Sequence, residues 1–88
     1  MAEQKTGRRI IMNDGTTWED SECGNADGFL WLYLHGVQMS DAFPIVNDPN
    51  VTKKIIFEYG EMSDKYTGFK KLQIIRNEDY GCSVCLTK

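Results

Sequence analysis

The most regular pattern in the chain is the strict alternation of leucine with aromatic residues or histidine from position 29 to position 35. Successive side chains of an extended strand point to opposite faces, so Leu30, Leu32 and Leu34 share one face and the aromatic residues share the other. The leucine face predicts a core strand. The aromatic face has two interpretations: it packs beneath a helix or a neighbouring strand, or part of it is exposed as a binding patch.

Shorter extended patterns precede this strand. Residues 8–12 are rich in β-branched isoleucine and predict a strand, and residues 16–19 predict the return strand of a hairpin. The intervening residues 13–15 end in Asp-Gly, which favours a type I′ turn because that turn requires positive φ. The composition of residues 23–28 predicts a loop.

Residues 40–47 form the one stretch with the start and stop signals of a helix. Ser40 is a suitable N-cap, and the Asp-Pro pair at 48–49 ends the helix. Proline is accepted only near the first turn, so Pro44 requires the helix to be short. Helical spacing predicts that Phe43 faces the sheet.

The remainder of the chain is predicted to be strand. The side chains of residues 53–59 alternate in the way expected of the two faces of a strand. Residues 64–76 are predicted to form the next, returning strand, in which Gly68 marks a bulge or bend. Within that return strand Leu72 and Ile74 are expected to point inward. Residues 82–86 form the last strand.

These elements predict an α+β fold. We expect a small single domain with a mainly antiparallel sheet, in the order β-β-β-α-β-β-β as a meander, and one short helix. Residues 1–9 are predicted to form a flexible N-terminal extension, and residues 10–88 a single α+β domain. A chain of 88 residues is long enough for one hydrophobic core and too short for two.

The number of cysteines and the hydropathy of the chain indicate the cellular compartment in which the protein is expected. Three cysteines cannot all pair within one chain, and the sequence shows no secretory signal, so we expect reduced thiols in the cytoplasm of a bacterial host cell. No apolar segment reaches the length of a membrane helix, so no membrane partner is expected.

Charge is distributed unevenly along the chain. The net charge is −3, yet the stretch from 10 to 52 contains seven acidic residues and no Lys or Arg. This asymmetry favours a basic protein partner, although an ordinary solvated acidic surface is the alternative interpretation. Direct nucleic-acid binding is not expected, because no basic stripe with stacking aromatics is present.

The candidate chemistry is sparse. Cys82 and Cys85 match the C-x-x-C spacing, and with Cys23 and His35 they would supply a Cys₃His zinc site. Positions i and i+3 of a strand point to opposite faces, so we expect a packed, reduced pair, no metal and no cofactor. The single histidine and the lack of a glycine-rich phosphate loop argue against an enzyme.

Several stretches resemble small uncharacterised proteins encoded by phages and prophages of Clostridia-like gut bacteria. The similarity covers roughly residues 10–86 and is carried by turn and strand patterns at 11–16, 22–24, 27–31, 43, 48–49, 52–57 and 59–62. The resemblance implies a viral accessory or virion protein. It brings no catalytic residues with it.

The leading hypothesis is a non-enzymatic, phage-derived protein-binding domain. It would act as an anti-defence inhibitor, in the manner of anti-CRISPR proteins, by presenting an acidic face to a basic nucleic-acid-handling host protein. The acids of the first hairpin would supply charge and Trp18 an apolar anchor. The predicted partner-binding residues are Asp14, Trp18, Glu19, Asp20, Glu22, Trp31 and Tyr33.

Two alternatives remain open from the sequence. The first is a phage virion, tail or assembly component that docks through its sheet edges, and the chain is also compatible with homo-oligomer formation. The second is a nucleotide-sequestering sponge protein, in which Trp18, Trp31, Tyr33 and Tyr66 would stack a base.

Overall fold

The computed structural model describes residues 7–88, which form two four-stranded antiparallel sheets and one helix. The sheet orders are β2-β1-β5-β6 and β3-β4-β8-β7. The elements are β1 (Arg8–Ile11), β2 (Thr17–Glu19), β3 (Glu22–Ala26), β4 (Phe29–His35), α1 (Met39–Val46), β5 (Lys54–Tyr59), β6 (Met62–Thr67), β7 (Lys71–Glu78) and β8 (Gly81–Thr87).

One hydrophobic core lies between the two sheets and the helix. The first sheet contributes mainly Ile10, Trp18, Ile55 and Phe57, and the second contributes Leu30, Leu32, Leu34, Val84 and Leu86. All three leucines of β4 are at most 1% exposed, so the prediction of a leucine core face is confirmed. Burial of these side chains is the main source of stability in a domain of this size.

The predicted α+β domain with mainly antiparallel strands and one short helix is confirmed for residues 7–88, but the single-sheet meander is not the observed topology. The predicted loop at 23–28 is largely strand β3, which pairs with β4 through Cys23 opposite Leu32 and Asn25 opposite Leu30. Its glycine and asparagine residues are poor strand formers, so this strand depends on the hydrogen bonds of its partner rather than on local propensity.

The predicted strand 64–76 is divided between the two sheets. The chain leaves β6, bends at Gly68 with a φ of 89°, and continues as β7 in the second sheet. The predicted bend is confirmed, whereas the continuous strand is wrong. A register shift between Leu72 and Ile74 then turns Ile75 toward the core and leaves Ile74 43% exposed, which corrects its predicted inward position.

Helix α1 covers nearly the predicted residues, with a different start and a different buried face. It follows Gln38 with no side-chain cap, so Ser40 lies within the first turn and is not the N-cap. Pro44 is the sixth helical residue, beyond the position predicted for it. Ala42 and Val46 are buried while Phe43 is 44% exposed, because the small Ala42 permits close approach to the strands.

The first hairpin is confirmed, although its turn is not type I′. Gly15 alone of the turn residues has positive φ, at 94°, so Asn13 and Asp14 keep ordinary backbone conformations. Strand β1 begins at Arg8, inside the predicted extension 1–9, and residues 1–6 of that extension lie outside the described residues. Within residues 7–88 no helix is both long and apolar enough to cross a bilayer.

Candidate protein-binding surface

The outer face of the second sheet carries the residues that alternate with its core side chains. We call this surface the aromatic face. Its members, strand by strand, are Glu22, Gly24 and Ala26 of β3; Phe29, Trp31, Tyr33 and His35 of β4; Gly81, Ser83, Cys85 and Thr87 of β8; and Lys71, Ile74, Arg76 and Glu78 of β7.

Three large apolar side chains are exposed together on the aromatic face. Phe29 is 42%, Trp31 45% and Ile74 43% exposed, while Cys85, between Trp31 and Ile74 in the register, is 1% exposed. Helix α1 packs on the opposite side of this sheet, where its buried residues join the leucine core. Of the two interpretations of the aromatic strand face, partial exposure is therefore the one observed.

The end of the aromatic face nearest His35 is charged. Tyr33 and His35 contact edge to face, with ring centroids 4.6 Å apart. Beside them lies an open hollow of about 390 Å³, lined by Arg8, Asp20, Glu22 and His35. Arg8 and Glu22 form an ion pair of 3.5 Å, so opposite charges already meet at the edge of this hollow.

The four acids predicted to form one acidic face do not lie together. Glu19 lies on the outer face of the first sheet, where Arg9 is 3.8 Å from Glu19 and 2.7 Å from Glu58. Glu22 lies on the second sheet and pairs with Arg8. The acidic stretch from 10 to 52 is thus partly neutralised by the two arginines that precede it, which corrects the picture of an unbalanced acidic hairpin.

Asp14 and Trp18 have structural roles in the first hairpin. The Asp14 carboxylate accepts a hydrogen bond of 2.9 Å from the Thr16 backbone N–H, and this bond lowers the pKa of Asp14. Trp18 lies opposite Ile10, is 9% exposed and belongs to the core. Trp18 is therefore not an exposed anchor; its polar neighbours Thr17 and Glu19 were the sequence signal for an inward side chain.

The cysteines are free thiols in packed positions within residues 7–88. Cys82 lies opposite Leu34 on the inner face and Cys85 opposite Trp31 on the outer face, so the predicted separation of this pair is confirmed. Cys23 packs against the core beside Tyr66, and burial raises the pKa of its thiol to about 11. Among residues 7–88, no three His, Cys, Asp or Glu side chains cluster closely enough to hold a metal ion.

Sequence reasoning missed the part of the aromatic face contributed by β7. The sequence pattern places Ile74 in the core and does not connect the cationic side chains of Lys71 and Arg76 with the aromatic strand. Two adjacent isoleucines, Ile74 and Ile75, were the available signal, because neighbouring strand residues cannot both point inward.

Comparisons of the chain with protein families, with curated proteins and with solved structures found no match. The resemblance to phage-encoded proteins stays a prediction from the sequence.

Proposed function

We propose that this protein is a non-enzymatic protein-binding domain whose binding surface is the aromatic face. The observation that carries the proposal is the joint exposure of Phe29, Trp31 and Ile74 on one face of a hydrogen-bonded sheet. A contiguous exposed apolar surface with a polar rim is typical of interaction sites, and tryptophan and tyrosine are frequent energetic hot spots in them.

The arrangement of apolar residues elsewhere supports this choice of surface. The other large apolar side chains exposed in residues 7–88 are Phe43 on α1, Met62 on β6 and Tyr80 in the turn before β8. They lie on three separate elements, and single exposed apolar residues are common on any protein surface. The aromatic face differs because Phe29 and Trp31 are successive outward residues of β4, and Ile74 lies in the same cross-strand row as Trp31.

A rigid backbone also favours binding through this face. Strand β4 lies between β3 and β8 and is paired along its whole length, so the backbone that carries the exposed aromatics is held in place. A preorganised surface loses little conformational entropy when a partner binds. Nucleotide sequestration is less well supported, since Trp18 is buried and Tyr66 contacts Cys23, away from Trp31 and Tyr33.

The kind of partner follows from the composition of the face. Apolar contacts at its centre would supply affinity, and the exposed acids Asp20 and Asp27, which precede and follow β3, would favour a partner with basic groups there. Inhibition of a nucleic-acid-handling host protein and a role in virion assembly stay predictions. Either role would use this face.

The test is affinity capture from a lysate of the source organism with purified full-length protein. Trp31→Lys places a charge at the centre of the aromatic face, and Phe43→Lys is the matched control, because Phe43 is 44% exposed on the helix. We expect the Trp31→Lys variant to lose its captured proteins and the Phe43→Lys variant to retain them, with both variants folded by circular dichroism. Equal capture by the two variants would remove the aromatic face from the proposal.

A further inference from the structure

Large and small side chains alternate across the four strands of the aromatic face. The central cross-strand row reads Gly24, Trp31, Cys85, Ile74, from β3 through β4 and β8 to β7. The rows on either side follow the same rule on the two middle strands, where Phe29 lies beside Thr87 and Tyr33 beside Ser83. The face is therefore a ridge along β4 next to a furrow along β8.

From this pattern we propose that the aromatic face binds a second copy of this chain, in a symmetric dimer whose two-fold axis runs between β4 and β8, close to the strand direction. The inference rests on the proposed function, because it names the partner of the same surface. Such an axis places β4 of one copy over β8 of the other, and β3 over β7.

Shape complementarity supports this axis. Trp31 would sit over the partner's β8, above Cys85, a small residue that lies between the larger Trp31 and Ile74 of its own chain and is 1% exposed. Ile74 would sit above the partner's Gly24, where a side-chain carbon added to the glycine would meet no atom within 4 Å. Every large side chain of the central row thereby meets a small one, as ridge-to-furrow packing of two sheets requires.

The opposite net charges of the two edge strands also support this axis. On this face β3 carries one acid, Glu22, which pairs with Arg8 at 3.5 Å. Strand β7 carries Lys71, Arg76 and Glu78, with Arg76 and Glu78 paired at 3.3 Å, so its net charge is positive. Exchange of β3 and β7 across the axis places Glu22 opposite Arg76 of the other copy. A two-fold axis perpendicular to the strands would instead place β3 on β3 and the ridge of β4 on itself.

The area of the aromatic face sets the expected strength of dimer association. Four strands about 4.8 Å apart and about seven residues long present a face of roughly 450 Å² per copy. Standard stable interfaces bury about 800 Å² per partner, so the dimer should be weak and reversible, with a micromolar dissociation constant. Aligned sheets pack at about 30°, which tilts the axis about 15° from the strands.

The experiment is sedimentation equilibrium of the full-length protein from about 1 to about 500 μM, a range that brackets the association expected of a small interface. We expect a monomer–dimer equilibrium that Trp31→Lys weakens by about tenfold or more. Glu22→Arg and Arg76→Glu should each weaken it, and the double variant should restore it, because the swapped charges again face each other across the axis. Lys65→Glu, a charge reversal on the first sheet, is the control and should leave the equilibrium unchanged.

A wild-type protein that is monomeric throughout this range would overturn the dimer. A dimer unaffected by Trp31→Lys, or a double variant that does not regain association, would also overturn it. Failure of the proposed function is distinguishable: a monomeric wild type with Trp31-dependent capture from a lysate keeps the binding face and removes the self-partner. A monomeric wild type, together with lysate capture that does not depend on Trp31, would remove both proposals.

Discussion

The two sheets share one core but have different outer faces. On the first sheet Arg9 lies between Glu19 and Glu58 and pairs with both. On the second sheet the corresponding surface presents Trp31 and Ile74 to solvent, each more than 40% exposed. The inner faces form the core, and the difference between the outer faces is the reason for proposing the second sheet as the binding surface.

The two outer faces should differ in the free energy that each gains when a partner covers it. A surface of paired, exposed charges gains little from a partner, because binding would require their desolvation. An exposed apolar surface gains free energy from any well-fitted partner, since contact removes it from water. Four predictions test whether the two faces differ in this way, from the largest expected effect to the smallest.

The two tryptophans provide the strongest test. Trp18→Ala should lower the free energy of unfolding by about 3–5 kcal/mol, because it leaves a cavity between the sheets. Trp31→Ala should lower it by less than about 1 kcal/mol when the protein is dilute. Urea denaturation at low micromolar concentration measures both, and similar losses for the two variants would contradict the assignment of Trp18 to the core and Trp31 to the binding face.

The second prediction concerns the junction of β4 and β8, which supports the aromatic face. A side-chain carbon at Gly81 would collide with the Leu34 carbonyl oxygen, whereas one at Gly24 would meet nothing within 4 Å. We expect Gly81→Ala to cost about 2–3 kcal/mol and Gly24→Ala to stay within about 0.5 kcal/mol of the wild type. Thermal unfolding measures the stability of both variants. A Gly81→Ala protein as stable as the wild type would show that the pairing of β4 with β8 can shift without loss of stability.

The third prediction concerns the contact between Cys23 of β3 and Tyr66 of β6. Burial raises the pKa of the Cys23 thiol from 9.0 to about 11, so the unfolded chain releases this proton at lower pH than the folded one. The contribution to stability is full below pH 9 and is lost as the pH rises toward 11.

Because Cys23 is partly exposed, we expect the loss to be about 1 kcal/mol. Burial similarly raises the pKa of Tyr66 to about 12, which extends the loss to higher pH. Urea unfolding between pH 7 and pH 11 should show a shallower decline for Cys23→Ala than for the wild type. Parallel declines would mean that this thiol titrates as it does in an unfolded chain.

The smallest effect is expected on the outer face of the first sheet. Hydrogen bonding to Glu58 raises the pKa of Arg9, but both side chains are accessible to solvent. A double-mutant cycle of Arg9→Ala and Glu58→Ala should give a weak coupling that disappears at high salt, because exposed ion pairs are screened. A strong, salt-independent coupling would mean that this face is structurally as important as the core.

Much of the second sheet could be predicted from local pattern. Alternation from 29 to 35 determined that the leucines would be buried and that the aromatics would share the other face, because residue spacing in a strand fixes side-chain direction. The same reasoning separated Cys82 from Cys85 correctly. In the first sheet, the turn at 13–15 predicted a hairpin, since Asp-Gly favours tight turns.

Only the tertiary structure decided how these strands combine. Strand β3 exists because β4 supplies its hydrogen bonds, the chain changes sheets after Gly68, and a register shift turns Ile74 outward. Arg8 and Arg9 reach acids that are distant in sequence, so charge counted along the chain misjudged charge in space. Local periodicity determines which way a side chain points, whereas strand pairing between distant segments determines what it meets, and one sequence window contains no information about that pairing.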